Sequence, residues 1–262
     1  MTGAARMEEA GLTLRLARDE ADLRAAQRLR YDVFVSELGA DGPLVDHAAR
    51  LERDEFDPHF DHLLLVDERA TGDLPRVVGV YRLMPSDRAV AAGRFYSEAE
   101  YDLRQLRASG RRLLELGRSC VHPDYRGGAA MYLLWNGLAD YVLERGIEVL
   151  FGVASFHGTD VQALSQPLSY LHHHHLAPEA LRVHARKGAR VEMDLIPPDR
   201  LDRKAAMAGT PALIKAYLRL GGFVGDGAFV DRAFNTTDVC LVMDTERMSA
   251  RHREFYTKGR AA

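Results

Sequence analysis

From residue 12 the chain shows clear hydrophobic periodicities. "LTLRLAR" (12–18) alternates apolar and polar, the period of a half-buried strand. Asp19 is a good helix cap, and Leu23, Ala26, Leu29, Val33 and Phe34 follow at helical spacing. Residues 39–60 hold Gly, Pro and many acids and read as loop. "HLLLVDE" (62–68) and "RVVGVYRLMP" (76–85) predict adjacent strands joined by a turn at Thr71-Gly72-Asp73. "RLLELGRSCV" (112–121) predicts another strand, between Gly110 and Pro123. The clearest helix follows: Met131, Leu134, Trp135, Leu138, Tyr141 and Val142 share one face, and Gly146 is a natural stop. "IEVLFGVASF" (147–156) is apolar throughout, as in a strand buried on both faces. A helical region to about 184, a short helix over 211–222 and a strand at 238–244 complete the pattern. This order predicts a mixed α/β fold with strand–helix–strand 112–156 at its centre.

Composition narrows the function classes. At 262 residues, 47% hydrophobic and 28% charged, the chain suits a globular core. A net charge of −3 argues against a general nucleic-acid binder. Cys120 and Cys240 are too few for a disulfide framework, which points to a reducing cytoplasm. The lead "MTGAARMEEAG" does not read as a signal peptide, and no run reaches the ~20 apolar residues of a membrane-spanning helix. A single domain over 11–248 is expected, with flexible termini at 1–10 and 249–262.

Each candidate site has an ordinary structural alternative. Cys120 would need a base to act as a nucleophile, and His122 shares its strand face, but a small packing residue serves equally. "HPDYRGG" (122–128) joins a strand to a helix N-terminus. Free N–H groups there, with Arg126, Gly127 and Gly128, suit a phosphate; the alternative is an ordinary turn with a solvated Arg. The run His172 to His175 has no adjacent carboxylate or Cys to complete a metal site, and none is expected. Arg104, Arg107 and Arg111 fall on one helical face, with Arg112 beside them, as a solvated surface or a dock for an acidic partner. "ERDEFDPHFD" (52–61) concentrates Glu52, Asp54, Glu55, Asp57 and Asp61, without the spacing of an EF-hand. Glu115 and Arg118, three apart in one strand, should face opposite ways unless a bulge intervenes.

The strand–"HPDYRGG"–helix unit resembles the pyrophosphate-binding segment of GNAT-type N-acyltransferases, with Arg126-Gly127-Gly128-Ala129-Ala130-Met131 departing from the usual small-residue spacing. Over 24–118, "RLRYDVFVSELG", "ERDEFD", "VVGVYRLMP" and "LELGR" are similar to acyl-homoserine-lactone synthases at Arg30, Phe34, Asp54, Asp57, Arg82, Glu115 and Arg118; Ala40 stands where those carry tryptophan. "FGVASFHGTD", "LSYLHHHHLAP", "PALIKAYLRLGGFVGDGAFVD" and "FNTTDVCLVMD" extend the likeness to the bacterial ornithine N-acyltransferases of ornithine-lipid synthesis.

That resemblance implies a GNAT-like mixed central sheet flanked by helices. It also implies transfer of a 3-hydroxyacyl group from acyl carrier protein to the α-amine of L-ornithine, with no bound cofactor and no acyl-enzyme. The donor thioester sits on the carrier's phosphopantetheine. Glu115 is then the candidate base, and Ser119, Cys120 and Val121 offer backbone N–H to the oxyanion, so Cys120 contributes its backbone and not its sulfur. Arg126, Gly127 and Gly128 would hold the phosphopantetheine phosphate, and Arg104, Arg107, Arg111 and Arg112 the acidic carrier. Phe34, Leu38, Phe95 and Trp135 suit the acyl tail, Arg82 the acceptor's carboxylate, and Asp54 or Asp57 its ammonium; Arg30 and Arg118 join the substrate site. A surfactant-like product makes peripheral contact with the inner face of the cytoplasmic membrane an expectation to test. The alternatives are a lactone-synthase-like enzyme, another amino-acid acceptor, and a non-catalytic acyl-binding module.

Overall fold

The computed structural model describes residues 7–9, 11–127 and 129–247. Gly128 and the C-terminal stretch 249–262 lie outside the described residues. The strands, in chain order, are β1 (Met7–Glu9), β2 (Leu12–Leu16), β3 (Asp61–Asp67), β4 (Val77–Pro85), β5 (Tyr101–Asp102), β6 (Leu113–Val121), β7 (Val149–His157), β8 (His184–Ala185), β9 (Arg190–Val191), β10 (Phe223–Val224), β11 (Ala228–Asp231) and β12 (Thr236–Asp244). The α-helices are α1 (Glu20–Arg30), α2 (Ser86–Ala91), α3 (Arg104–Ala108), α4 (Ala130–Arg145), α5 (Ser165–His175), α6 (Arg203–Gly209) and α7 (Ala212–Arg219). They pack as two compact units. Among the described residues, one takes the chain up to Gly93 together with Leu116–Gly146; the other takes Arg94–Glu115 and the stretch from Ile147 to Arg247.

In the first unit β1 to β4 form an antiparallel meander, and β6 is the next neighbour of β4. β3 shows why its apolar run is continuous. Leu64 and Val66 join the cluster of Ala25, Ala26 and Leu29 on α1. Leu63 and Leu65 lie against Gly137 and Gly79, where α4 packs. Successive side chains point to opposite faces and a helix covers each, so polar residues have no place there. Asp19 caps α1 as expected, its carboxylate accepting the Asp22 N–H at 2.9 Å. The helix then widens into a π-helical stretch, Tyr31–Glu37, which keeps Val33 buried and leaves Phe34 half-buried against the same cluster.

α4 ends at Gly146 in the left-handed conformation, as the sequence suggests. Its buried stripe is shifted from the expected one. Ala130, Leu133, Leu134, Gly137, Leu138 and Tyr141 turn inward, and Met131 is exposed. Gly137 sets the phase: its missing side chain lets the helix back lie directly on Leu14.

In the second unit β7 pairs antiparallel with all nine residues of β12, and parallel with Leu113–Glu115 of β6. β11 pairs with β12 and β9, and β8 pairs with β5. β7 is buried from Val149 to Gly152, but Ser155 and His157 are exposed, so two-sided burial holds only for its first half. α3 is one turn long and stops before Gly110, at φ +69. Arg111 and Arg112 therefore lie beyond it, and the arginines do not form one helical face. The helical region past 157 contracts to α5, because Pro178 biases the chain at Ala177 toward extended backbone.

Candidate active site

The decisive irregularity of β6 is Arg118, which sits at φ +46 in mid-strand. A left-handed Arg is strained by roughly 1–3 kcal/mol, so its surroundings must hold it. They do so electrostatically. Arg118 Nε lies 3.1 Å from Glu52 Oε1, and its Nη2 lies 3.3 Å from Asp54 Oδ2. The strand departs from simple alternation here, as the Glu115–Arg118 spacing had allowed.

Arg118 belongs to a larger network in the first unit. Arg30, at the end of α1, places Nε 2.5 Å from Glu52 and Nη1 2.6 Å from Asp57. Arg82, in β4, places Nη1 2.7 Å from Asp54 and 2.8 Å from Asp57, and its guanidinium stacks 4.2 Å from the Phe60 ring. Three arginines meet three carboxylates, and both Arg30 and Arg82 are 0% exposed. Burial opposes the charge on Glu52, but Arg118, Arg30 and Arg82 outweigh it and bring the carboxyl down to about 2. Burial likewise opposes the Asp57 charge, and Arg30 and Arg82 hold that carboxyl well below the usual carboxylate range. His62 Nε2 lies 3.0 Å from the Asp57 carbonyl oxygen, and burial lowers the imidazole to about 4. The structure thus brings together five predicted residues, Arg30, Asp54, Asp57, Arg82 and Arg118. The sequence stretch contained Glu52, but nothing in it singled that residue out.

Glu115 lies in the second unit and is buried. Its oxygens accept the N–H of Tyr96 at 2.8 Å, the N–H of Ser97 at 2.6 Å and the Ser97 hydroxyl. Three donors fix the orientation of the carboxylate. The side chain pins the turn that carries Phe95, whose ring meets Phe151 edge-on at 5.0 Å.

At the α4 end of β6, Arg126 Nε donates to the Val121 carbonyl and its two Nη groups fork onto Glu37 at 2.7 Å. Gly127 sits at φ +78, the region that favours glycine. The first turn of α4 has no side-chain cap, which leaves its N–H groups for a ligand or water. Cys120 packs among Leu29, Val33 and Val80, and burial pushes its thiol up to about 12, an inert sulfur. Ser119 has a buried hydroxyl with no hydrogen-bond partner among the described residues. Trp135 is half-buried, and Leu38 is exposed.

Each predicted dock arginine has an acidic partner: Arg104 with Asp102, Arg107 with Glu98, Arg111 with Asp244 and Arg112 with Glu148. In the histidine run, His173 lies 3.0 Å from Asp194, and His174 tilts against Tyr170. Sequence reading also missed a carboxylate group in the second unit, Glu100, Asp231 and Asp238, whose oxygens lie within 4.8 Å of one another. Asp231 and Asp238 sit on the β11–β12 hairpin, and Glu100, just before β5, comes more than a hundred residues earlier in the chain.

Residues 29–136 match the acetyltransferase (GNAT) domain. Among solved structures the fold resembles FeeM, an N-acyl amino acid synthase from uncultured soil microbes, at TM-score 0.51 and 12% identity over 90% of this chain and 92% of that one. It also resembles the AHL synthase LasI, at TM-score 0.50 and 14% identity over 94% and 95%. The L-ornithine N(alpha)-acyltransferase of Rhodobacter capsulatus is 69% identical over 94% of both chains. Its namesake from Brucella abortus is 42% identical over 94% of this chain and 88% of its own. With the GNAT fold in place and similarity of this extent along nearly its whole length, the chain belongs to the L-ornithine N(alpha)-acyltransferase family.

Proposed function

We propose that this enzyme transfers a 3-hydroxyacyl group from acyl carrier protein to the α-amine of L-ornithine, giving lyso-ornithine lipid. The observation that carries this reading is the 69% identity to a relative of that name over 94% of both chains. The transfer is direct. The amine, after losing one proton, attacks the thioester carbonyl; the C–N bond forms, the C–S bond breaks, and the second amine proton leaves as the carrier's thiol is released. The inert Cys120 sulfur supports attack without an acyl-enzyme. The left-handed Arg118 interrupts β6 just before Ser119–Val121, where a backbone N–H would serve the oxyanion.

The uncapped start of α4 and Gly127 suit the phosphopantetheine phosphate, with Arg126 exchanging Glu37 for it. Of the dock arginines, Arg104 and Arg112 are well exposed and can reach an acidic carrier. Arg111 is held at Asp244 and Glu148. Because its oxygens already accept from Tyr96 and Ser97, we assign Glu115 first to positioning that turn. Glu115→Gln separates the roles: a lost base flattens the acidic limb of the pH–rate profile, whereas a lost anchor lowers the melting temperature and leaves the profile unchanged. No helix among the described residues is long and apolar enough to cross a membrane. Contact with the cytoplasmic membrane is tested by flotation with anionic vesicles, and protein left wholly at the bottom of the gradient rejects it.

The deciding experiment mixes the enzyme with 3-hydroxypalmitoyl carrier protein and a pool of amino acids and S-adenosylmethionine, and reads products by mass spectrometry. N-acyl ornithine with free carrier thiol is expected. Acylation of another acceptor, or turnover with acyl-CoA alone, would overturn the acceptor or the donor assignment.

A further inference from the structure

Two unfavourable features lie side by side in the first unit. Arg118 holds left-handed backbone at φ +46. Ser119, the next residue, has a hydroxyl oxygen that is shut off from solvent and has no hydrogen-bond partner among the described residues. Left-handed backbone at a bulky residue is strained. A buried hydroxyl without a partner has lost its hydration and gained no hydrogen bond in return. Packing alone requires neither, since a glycine at 118 would relieve the strain and an alanine at 119 would remove the hydroxyl. Features of this kind persist where the surrounding structure over-determines them, and they gather at reacting centres.

The surroundings do over-determine this stretch. On one side, Glu52 and Asp54 hold the Arg118 guanidinium, and Glu52 is itself fixed by Arg30. On the other, the Val121 carbonyl accepts from Arg126 Nε at 3.0 Å, and the His122 N–H donates to the Val78 carbonyl at 2.9 Å. Ser119 therefore sits between two anchored points. The stretch is also within reach of a ligand. β6 is buried at Cys120 and Val121 but half-exposed over residues 116–119, and the neighbours of Arg118, Gly117 and Ser119, are both small. Cys120 turns into the cluster of Leu29, Val33 and Val80, so strand alternation directs Ser119 away from that cluster.

We infer that Ser119 is a catalytic residue of the acyl transfer: its hydroxyl donates a hydrogen bond to the thioester carbonyl oxygen as that oxygen becomes the oxyanion. The inference rests on acyl transfer from a thioester at this strand, and it adds a side-chain donor to the backbone N–H groups proposed there. A hydroxyl suits the task. It rotates to aim its proton, and no protein acceptor among the described residues competes for it. It stays a hydrogen-bond donor throughout, so the proton on the released thiol still comes from the amine. Its bond to an oxyanion is stronger than its bond to a neutral carbonyl, so the gain falls in the transition state and appears in kcat, not in KM.

Steady-state kinetics and thermal melting of the full chain, with 3-hydroxyacyl carrier protein and L-ornithine, test this. Ser119→Ala should lower kcat about a hundredfold and leave both KM values within about twofold of wild type. It should melt at the wild-type temperature or above, because the partnerless hydroxyl is gone. Wild-type kcat in Ser119→Ala overturns the inference. A lowered kcat that comes with a lower melting temperature also overturns it, unless Ser119→Thr, which keeps the hydroxyl, recovers kcat to within about tenfold of wild type. If Ser119→Ala fails to fold, Ser119→Cys replaces it, with a weaker donor in nearly the same shape, and wild-type kcat there overturns the inference. The oxyanion forms on the donor whatever the acceptor. A wild type that is inactive with ornithine but acylates another amine overturns the acceptor assignment, and the Ser119 comparison is then read on that amine. A wild type that takes an acyl group from no thioester overturns the reading beneath.

Discussion

The two units handle buried charge in opposite ways. In the first, Arg30, Arg82 and Arg118 face Glu52, Asp54 and Asp57, and the network is neutral within itself. In the second, Glu100, Asp231 and Asp238 bring carboxylate oxygens within 4.8 Å of one another, and Glu100 and Asp231 line a cavity. A self-neutralised network can be sealed from water, and it holds backbone, here the left-handed Arg118. The difference teaches that a network closed on itself can hold strained backbone, whereas a carboxylate group drawn from distant segments depends on the strand pairing that assembles it.

Removing one side of the closed network should have the largest effect. Arg30→Ala leaves Glu52 and Asp57 buried without it and should cost about 3–5 kcal/mol in denaturant unfolding. Asp231→Asn removes one of three like charges and keeps an oxygen to accept the Ala233 and Phe234 N–H groups, so its stability should stay within about 1 kcal/mol of wild type. Equal losses in the two variants would erase the contrast.

Acid should expose the network next. Glu52 falls from 4.5 to about 2 on folding, so its stabilisation is complete above pH 4.5 and is lost as the pH drops toward 2. His62 falls from 6.5 to about 4, so folding favours the neutral ring, and that contribution too is full above pH 6.5 and declines toward 4. Stability should therefore fall continuously from pH 6.5 to 2, and His62→Gln should flatten the upper part of that fall, read by denaturant midpoints. A midpoint constant between pH 6.5 and 4 in the wild type would remove His62 from the account.

Packing should matter less than charge. Gly137→Ala forces a methyl against Leu14 and should cost about 1–3 kcal/mol, measured by thermal melting. Cys120→Ala should have the smallest effect on chemistry: turnover retained within about threefold and stability reduced by about 1 kcal/mol, because the buried sulfur only packs. A loss of a thousandfold would restore the nucleophile.

Much of this was legible before any coordinates. The alternation at 12–18, the Asp19 cap, the Gly146 stop and the apolar run of β7 are local signals, and each marks an element close to where it lies. The motifs also carried the family, because acids and arginines at 30, 54, 57, 82 and 118 keep their identities whatever holds them. The helical face over 104–111 failed because a single turn ending at Gly110 cannot carry a period of seven.

Sequence by itself determined the α/β pattern, the GNAT relationship and the list of charged residues that matter. Only the tertiary structure decided their partners. It paired Arg82 with Asp57 in the interior, gave Glu115 three donors, and gathered Glu100, Asp231 and Asp238 from segments more than a hundred residues apart. The physical reason is that periodicity reports which face of its own element a side chain takes. Whether a charge ends up neutralised depends on the chain segments that long-range strand pairing lays beside it.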